Sequence, residues 1–107
     1  MKVSPHPHIP YVVKVATMTK ALRNLYGMSQ TELAKASGLS RPTISKLEKL
    51  SGDLNTRSDT LEQLLNVFRE LGVEIDINAD DVILRIPNEA LAKALKDAVD
   101  SVEEGQE

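Results

Sequence analysis

The stretch Ser29–Lys49, SQTELAKASGLSRPTISKLEK, decides how this chain folds. Ser29 stands directly ahead of a helical pattern and Glu32 follows three residues later, the spacing at which a serine cap and a glutamate return bond satisfy each other's end of a helix. Leu33 and Ala34 begin the buried face of that helix. Gly38 falls where the chain must turn sharply, and glycine enters the left-handed backbone region without a steric penalty. Ser40 then caps a second helix. Pro42 lies in its first turn, where a missing N–H costs nothing, and Ile44 and Leu47 face inward. Small Ala34 lets the two short helices approach closely around the glycine.

Two capped helices joined in this way form a helix-turn-helix, in which the second helix projects from the body of the domain. Such a helix reads base edges in the major groove with its outward side chains while neighbouring groups hold phosphates. The outward positions are Ser40, Arg41, Thr43, Ser45 and Lys46. Arg41 can offer two hydrogen bonds to a guanine edge, so it is the first choice for specificity. Ser29 and Gln30, at the start of the first helix, are placed for the DNA backbone. A helical hairpin can also be purely structural, and surface bases are usually solvated; the joint pattern of caps, glycine and apolar spacing favours DNA.

Working toward the N-terminus, Val15, Met18, Leu22 and Leu25 recur at steps of three and four residues and predict an amphipathic helix from about Lys14 to Gly27. The preceding residues, 1–13, read as an arm, since the first ten hold three prolines and little periodic apolar content. Toward the C-terminus, Ser51–Arg57 is a polar loop. Ser58 or Asp59 is expected to cap a fourth helix with Leu61, Leu64, Leu65, Phe68 and Leu71 inward, ending at Gly72. Residues 14–72 thus form the DNA-binding domain and 73–107 a dimerisation or partner-binding region. In that region Val73, Ile75 and Ile77 alternate with acids, and Val82–Ile86 follows the turn Asn78–Asp81, so a short hairpin is expected. Asn88 is expected to cap a last helix carrying Leu91, Ala94, Leu95, Ala98, Val99 and Val102 on one side.

The fold class is therefore mainly α: a helix bundle, then a short hairpin or dimerising strand and a C-terminal helix. Aromatics make up only 3% of the 107 residues, so Leu, Ile, Val, Ala and Met must build the core. The net charge of −3 conceals an asymmetry. Residues 1–57 carry nine bases against three acids, a net of +6, and the remainder carries −9. A basic half suits phosphates while an acidic half faces protein or solvent. There is no cysteine, which removes disulfides and thiolate chemistry. His6 and His8 have no third ligand nearby, so no metal is expected. No glycine loop, nucleophile or histidine accompanies the acids, so neither an enzyme nor a cofactor is expected. No apolar run is long enough to span a membrane or resemble a secretion signal, and a cytoplasmic protein of bacterial or phage origin is expected.

The runs Ser29-Gln30-Thr31-Glu32-Leu33-Ala34, Gly38-Leu39-Ser40 and Ile44-Ser45-Lys46-Leu47-Glu48 resemble, in register, the Xre or lambda-repressor-like (Cro/C1-type) helix-turn-helix family of phage repressors, Cro proteins and small antitoxins. The similarity covers roughly Lys14–Leu71. It implies a five-helix repressor-like domain in which Gln30 touches the DNA backbone and Ser40, Arg41, Thr43, Ser45 and Lys46 read the major groove. Further phosphate contacts fall to Lys49, Asn55 and Arg57. The chain departs from the family pattern at Pro42, where a polar contact residue is common, and in the Ser51–Arg57 loop, which is not a short glycine turn. A shorter similarity links VEIDI, residues 73–77, to HipB-type antitoxins, whose corresponding stretch pairs between subunits.

An exposed strand edge beside an apolar helix face favours dimerisation. Val73, Ile75, Ile77, Val82, Leu84, Ile86, Leu91, Leu95 and Val99 are the residues expected to provide it. The function expected is a dimeric repressor of a palindromic operator, of antitoxin type with a cognate toxin as partner. A phage or prophage repressor is the alternative within the class, and an interaction adaptor without DNA binding is the alternative outside it.

Overall fold

The structure, a computed structural model, describes residues 7–52 and 55–96. Four helices, α1 (Tyr11–Leu25), α2 (Gln30–Ser37), α3 (Arg41–Lys49) and α4 (Ser58–Glu70), are followed by strands β1 (Glu74–Ile77) and β2 (Val82–Arg85) and by α5 (Asn88–Ala94). The mainly helical class and the hairpin agree with the sequence. The five helices are not consecutive, because the hairpin separates the fifth from the other four.

Three helix starts differ from expectation for one physical reason. Helix α1 begins at Tyr11, three residues before Lys14, with Pro10 at its N-cap. The Pro10 carbonyl accepts from Val13 N (3.0 Å) and Lys14 N (3.1 Å), so Tyr11, Val12 and Val13 belong to the helix and not to the arm. Helix α4 has Arg57 at its N-cap, with Ser58 and Asp59 already inside its first turn. Helix α5 has Pro87 there instead of Asn88. In each case the entry is a backbone one, with no side-chain cap for the sequence to signal. Side-chain capping serves α2 and α3, as the positions of Ser29, Glu32 and Ser40 predict. Ser29 Oγ accepts from Glu32 N, and Glu32 Oε1 accepts from Ser29 N at 2.9 Å. Ser40 Oγ accepts from Thr43 N.

The core lies between α1, α2, α3 and α4. Val15, Leu22, Leu33, Ile44, Leu61, Leu64, Leu65 and Phe68 are all sealed from solvent there. The Tyr26 ring leans on Phe68 with centroids 6.1 Å apart. Helix α4 packs on α1 and α2, and α3 on α2 and α1, so the helix-turn-helix rests on two supports. Gly38 adopts φ 76°, the left-handed turn expected of it. Gln63 of α4 donates to the Ser37 carbonyl at 3.4 Å and so ties down the end of α2.

The hairpin is antiparallel, pairing Glu74 with Arg85, Ile75 with Leu84, Asp76 with Ile83 and Ile77 with Val82. Asn78 N donates to Asp81 O (2.9 Å) and Asn78 Nδ2 to Asp81 Oδ1 (2.8 Å) across the turn. Lys14, largely buried, donates its ammonium to Asn78 O (2.6 Å) and Ala79 O (3.2 Å), fastening α1 to that turn.

The apolar residues expected at a dimer interface divide. Val73 and Ile75 are buried in the protomer's own core and Ile77 packs against it, because α1 and α4 already cover the inner face of β1. Ile86 also packs against that core. Val82 and Leu91 are half-buried, while Leu84 and Leu95 are exposed; Val99 lies outside the described residues. Strand β1 finds its partner in β2 of the same chain. Helix α5 folds back through Ala90, which is 1% exposed and accepts a hydrogen bond from Tyr26 Oη at 2.8 Å.

Candidate nucleic-acid interface

The position of α3 is fixed from beneath by three polar side chains. Arg23 of α1 grips Glu48 of α3 with two hydrogen bonds, Nε to Oε2 at 2.6 Å and Nη2 to Oε1 at 2.9 Å. Gln30, the first residue of α2, donates its amide to the same Oε1 at 3.1 Å. Arg23 also donates to the Met28 carbonyl at 2.7 Å, just ahead of α2. One carboxylate therefore joins α1, α2 and α3. Burial raises the Glu48 pKa, but the hydrogen bonds from Arg23 and Gln30 and the charges of Arg23 and Lys20 outweigh it and hold the group below its ordinary value. The same carboxylate, through its hydrogen bond, keeps the Arg23 pKa above normal against the opposing effect of burial.

With Ile44 and Leu47 directed into the core, helical geometry leaves Arg41, Pro42, Ser45, Lys46 and Lys49 along the outer stripe of α3. Arg41, Lys46 and Lys49 are exposed and meet no ion-pair partner among the described residues. Ser45 is half-buried. Thr43 lies on the flank, its hydroxyl 2.8 Å from that of Ser40 in a hydrogen bond that also braces the cap. Of the five residues expected to read bases, four lie on or border the outer stripe and Thr43 is turned toward the α3 start. Lys49, expected at the backbone, stands on the same stripe as Ser45 and Lys46 because it lies four and three residues beyond them.

The residues expected at phosphates surround this stripe. Ser29 is exposed at the N-cap of α2, its oxygen engaged by Glu32 N at 3.0 Å. Gln30 is half-buried beneath it, oriented by Glu48. Arg57 is exposed at the start of α4 and pairs loosely with Asp59 at 3.3 Å, a contact worth little in water. Asn55 is exposed and already engaged within the fold. The basic half is also less free than its charge suggests: Lys14 and Arg23 spend their charges on internal acceptors.

Sequence reading missed the Arg23–Glu48 clamp and the exposure of Ile83. The clamp joins residues 25 apart and has no local signature. Ile83 had one: Val82-Ile83-Leu84 is an uninterrupted apolar run, which places a large apolar residue on each face of an edge strand. Among the described residues there is no cluster of metal ligands and no helix long and apolar enough to cross a membrane.

A family model described as "Helix-turn-helix" matches residues 20–76, which takes in the end of α1, the whole of α2, α3 and α4 and the start of β1. No curated protein and no solved structure matches the chain. The match spans more than half of the residues and includes every side chain of the α3 stripe and of the clamp beneath it. The chain belongs to the helix-turn-helix family of Xre or lambda-repressor type, and is a DNA-binding transcription regulator.

Proposed function

We propose that this regulator is a repressor that binds a palindromic operator as a homodimer, with α3 in the major groove of each half-site. The observation that carries the reading is the outer stripe of α3, where three cations without an ion-pair partner among the described residues stand on a helix locked to its neighbours by Glu48. Ser40, Arg41, Thr43, Ser45 and Lys46 are assigned to the base edges, with Arg41 offering a guanine two hydrogen bonds. The Pro42 ring adds an apolar surface suited to a thymine methyl. Ser29, Gln30, Lys49, Asn55 and Arg57 are assigned to phosphates on either side, assisted by the positive end of the α2 dipole.

Within this class an antitoxin that represses its own operon is the preferred biology. Its support is the acidic second half, where Asp76, Asp80, Asp81 and Glu89 are exposed and suit a basic protein such as a cognate toxin. Co-purification with the product of the adjacent gene tests this separately from DNA binding.

Selection of bound sequences from a random double-stranded DNA library tests the central claim. A palindrome whose affinity and base preference depend on Arg41 is expected. Folded protein that enriches no sequence would leave the adaptor reading in its place.

A further inference from the structure

The hairpin has two edges, and the described residues treat them differently. Asn78 N donates to Asp81 O across the turn, so these two residues form a hydrogen-bonded pair. Bonded and non-bonded pairs alternate along an antiparallel ladder, which makes Asp76–Ile83 the next bonded pair. The N–H and C=O groups of Ile75 therefore point away from β2, and those of Val82 and Leu84 point away from β1. On the β1 side, Arg69 Nη2 donates to the Ile75 carbonyl at 3.2 Å and takes up one of the outward groups. On the β2 side, no strand, side chain or helix takes up the Val82 and Leu84 groups among the described residues. That edge holds no proline, and Ile83 and Leu84 are 52% and 37% exposed on its two faces.

We infer that β2 pairs antiparallel with β2 of a second copy, joining two hairpins into a four-stranded sheet centred on Ile83. The inference rests on the dimeric reading above and supplies its interface. The occupant is a second copy because the edge complements itself. Asp81-Val82-Ile83-Leu84-Arg85 runs from acid to base with three apolar residues between. Paired about Ile83, each Asp81 lies opposite the partner's Arg85, and Val82 opposite the partner's Leu84. This register also sets the free groups of Val82 against those of the partner's Leu84, as bonded pairs require. A slip of one residue in either strand would place bonding groups against non-bonding ones. A centre on Val82 or Leu84 satisfies the bonds but forfeits both charge pairs. Arg85 lies 3.6 Å from Glu74 within its own hairpin, so it would bridge two carboxylates.

The test is a single cysteine, because the chain has none. Residues facing each other in a non-bonded antiparallel pair have Cα atoms about 4.5 Å apart, within disulfide range, whereas diagonal neighbours stand about 7–8 Å apart. Under mild oxidation Ile83→Cys is expected to form a covalent dimer about tenfold faster than Leu84→Cys. Equal rates, or faster Leu84→Cys crosslinking, would overturn the register. In sedimentation experiments Asp81→Arg and Arg85→Asp should each weaken the dimer roughly tenfold, since like charges then face each other, and the double variant should regain it. Loss of the Asn78 and Glu74 contacts accumulates in the double variant, so recovery there reports the intermolecular pair. Absence of recovery would overturn the interface. A palindromic operator recovered without the Ile83 crosslink would keep the dimeric reading and remove this interface; a crosslinked dimer that selects no DNA would do the reverse.

Discussion

Arg23 and Glu48, on the first and third helices, meet through two hydrogen bonds of 2.6 and 2.9 Å with side chains only 14% and 6% exposed. A buried pair of this kind adds little over an apolar substitute, but removing one partner strands the other. Arg23→Ala is expected to cost about 3 kcal/mol, since it leaves the Glu48 carboxylate without its main donor. Chemical denaturation measures this, and a loss comparable to that of an exposed ion pair would mean that the clamp does not organise the helix-turn-helix.

The same pair gives stability a defined pH dependence. The folded pKa of Glu48 is depressed, so its contribution is fully present above the unfolded value and is lost as pH falls through the folded value. Wild type should therefore lose stability on acidification below the ordinary carboxylate value of 4.5. Glu48→Gln should be less stable near neutrality and approach wild type in acid. Glu32 is also depressed, chiefly by hydrogen bonding to the Ser29 backbone and hydroxyl, but it is common to both proteins and leaves their difference to Glu48. Parallel stability curves across this range would remove Glu48 as the source.

The outer stripe of α3 separates two kinds of DNA contact. Arg41→Ala should cost about 1–3 kcal/mol on the preferred site and relax one base position. Lys49→Ala, if its ammonium meets a phosphate, should weaken all sequences alike and lower the slope of log affinity against log salt by about 0.9. Titrations at several salt concentrations, with preferred and scrambled DNA, distinguish the two. A base-specific loss at Lys49 would add it to the reading set, consistent with its place beside Ser45 and Lys46.

What was legible in the sequence was local. Ser29 with Glu32, Gly38 and Ser40 with Pro42 announce their roles within four residues of themselves, and each is found in that role. The helix starts at Tyr11 and Asn88 were misread because proline carbonyls open them, leaving no side chain as a signal. Long-range facts had no signature. Lys14 counts as a surface base by composition, yet its ammonium is bound to carbonyls 64 and 65 residues away. Val73 and Ile75 alternate as an interface strand would, but alternation says only that one face is covered, and here α1 and α4 cover it.

The α2–α3 turn depends on backbone conformation rather than space. A Cβ at Gly38 would have Gln63 Nε2 as its nearest neighbour, at an ordinary 3.8 Å, so Gly38→Ala meets only the left-handed φ of 76°. The expected cost is about 1–2 kcal/mol, read by denaturation, with the fold kept. A larger loss would mean that the turn is sterically closed as well.

Gly72 presents the opposite case, and the comparison shows how the last helix is held to the domain. Its φ is 100°, and a Cβ there would stand 3.3 Å from Ala90 Cβ, closer than such contacts normally run. Ala90 has little room to yield, being 1% exposed with its carbonyl held by Tyr26 Oη. Gly72→Ala should therefore cost more than Gly38→Ala and also raise amide exchange across α5. Ala90→Gly alone should cost about 1 kcal/mol as a glycine within a helix. Combined with Gly72→Ala it removes the methyl that clashes, so the double variant should be more stable than the two single losses predict. Simple additivity would show that backbone conformation, and not the approach of α5, makes glycine necessary at this position.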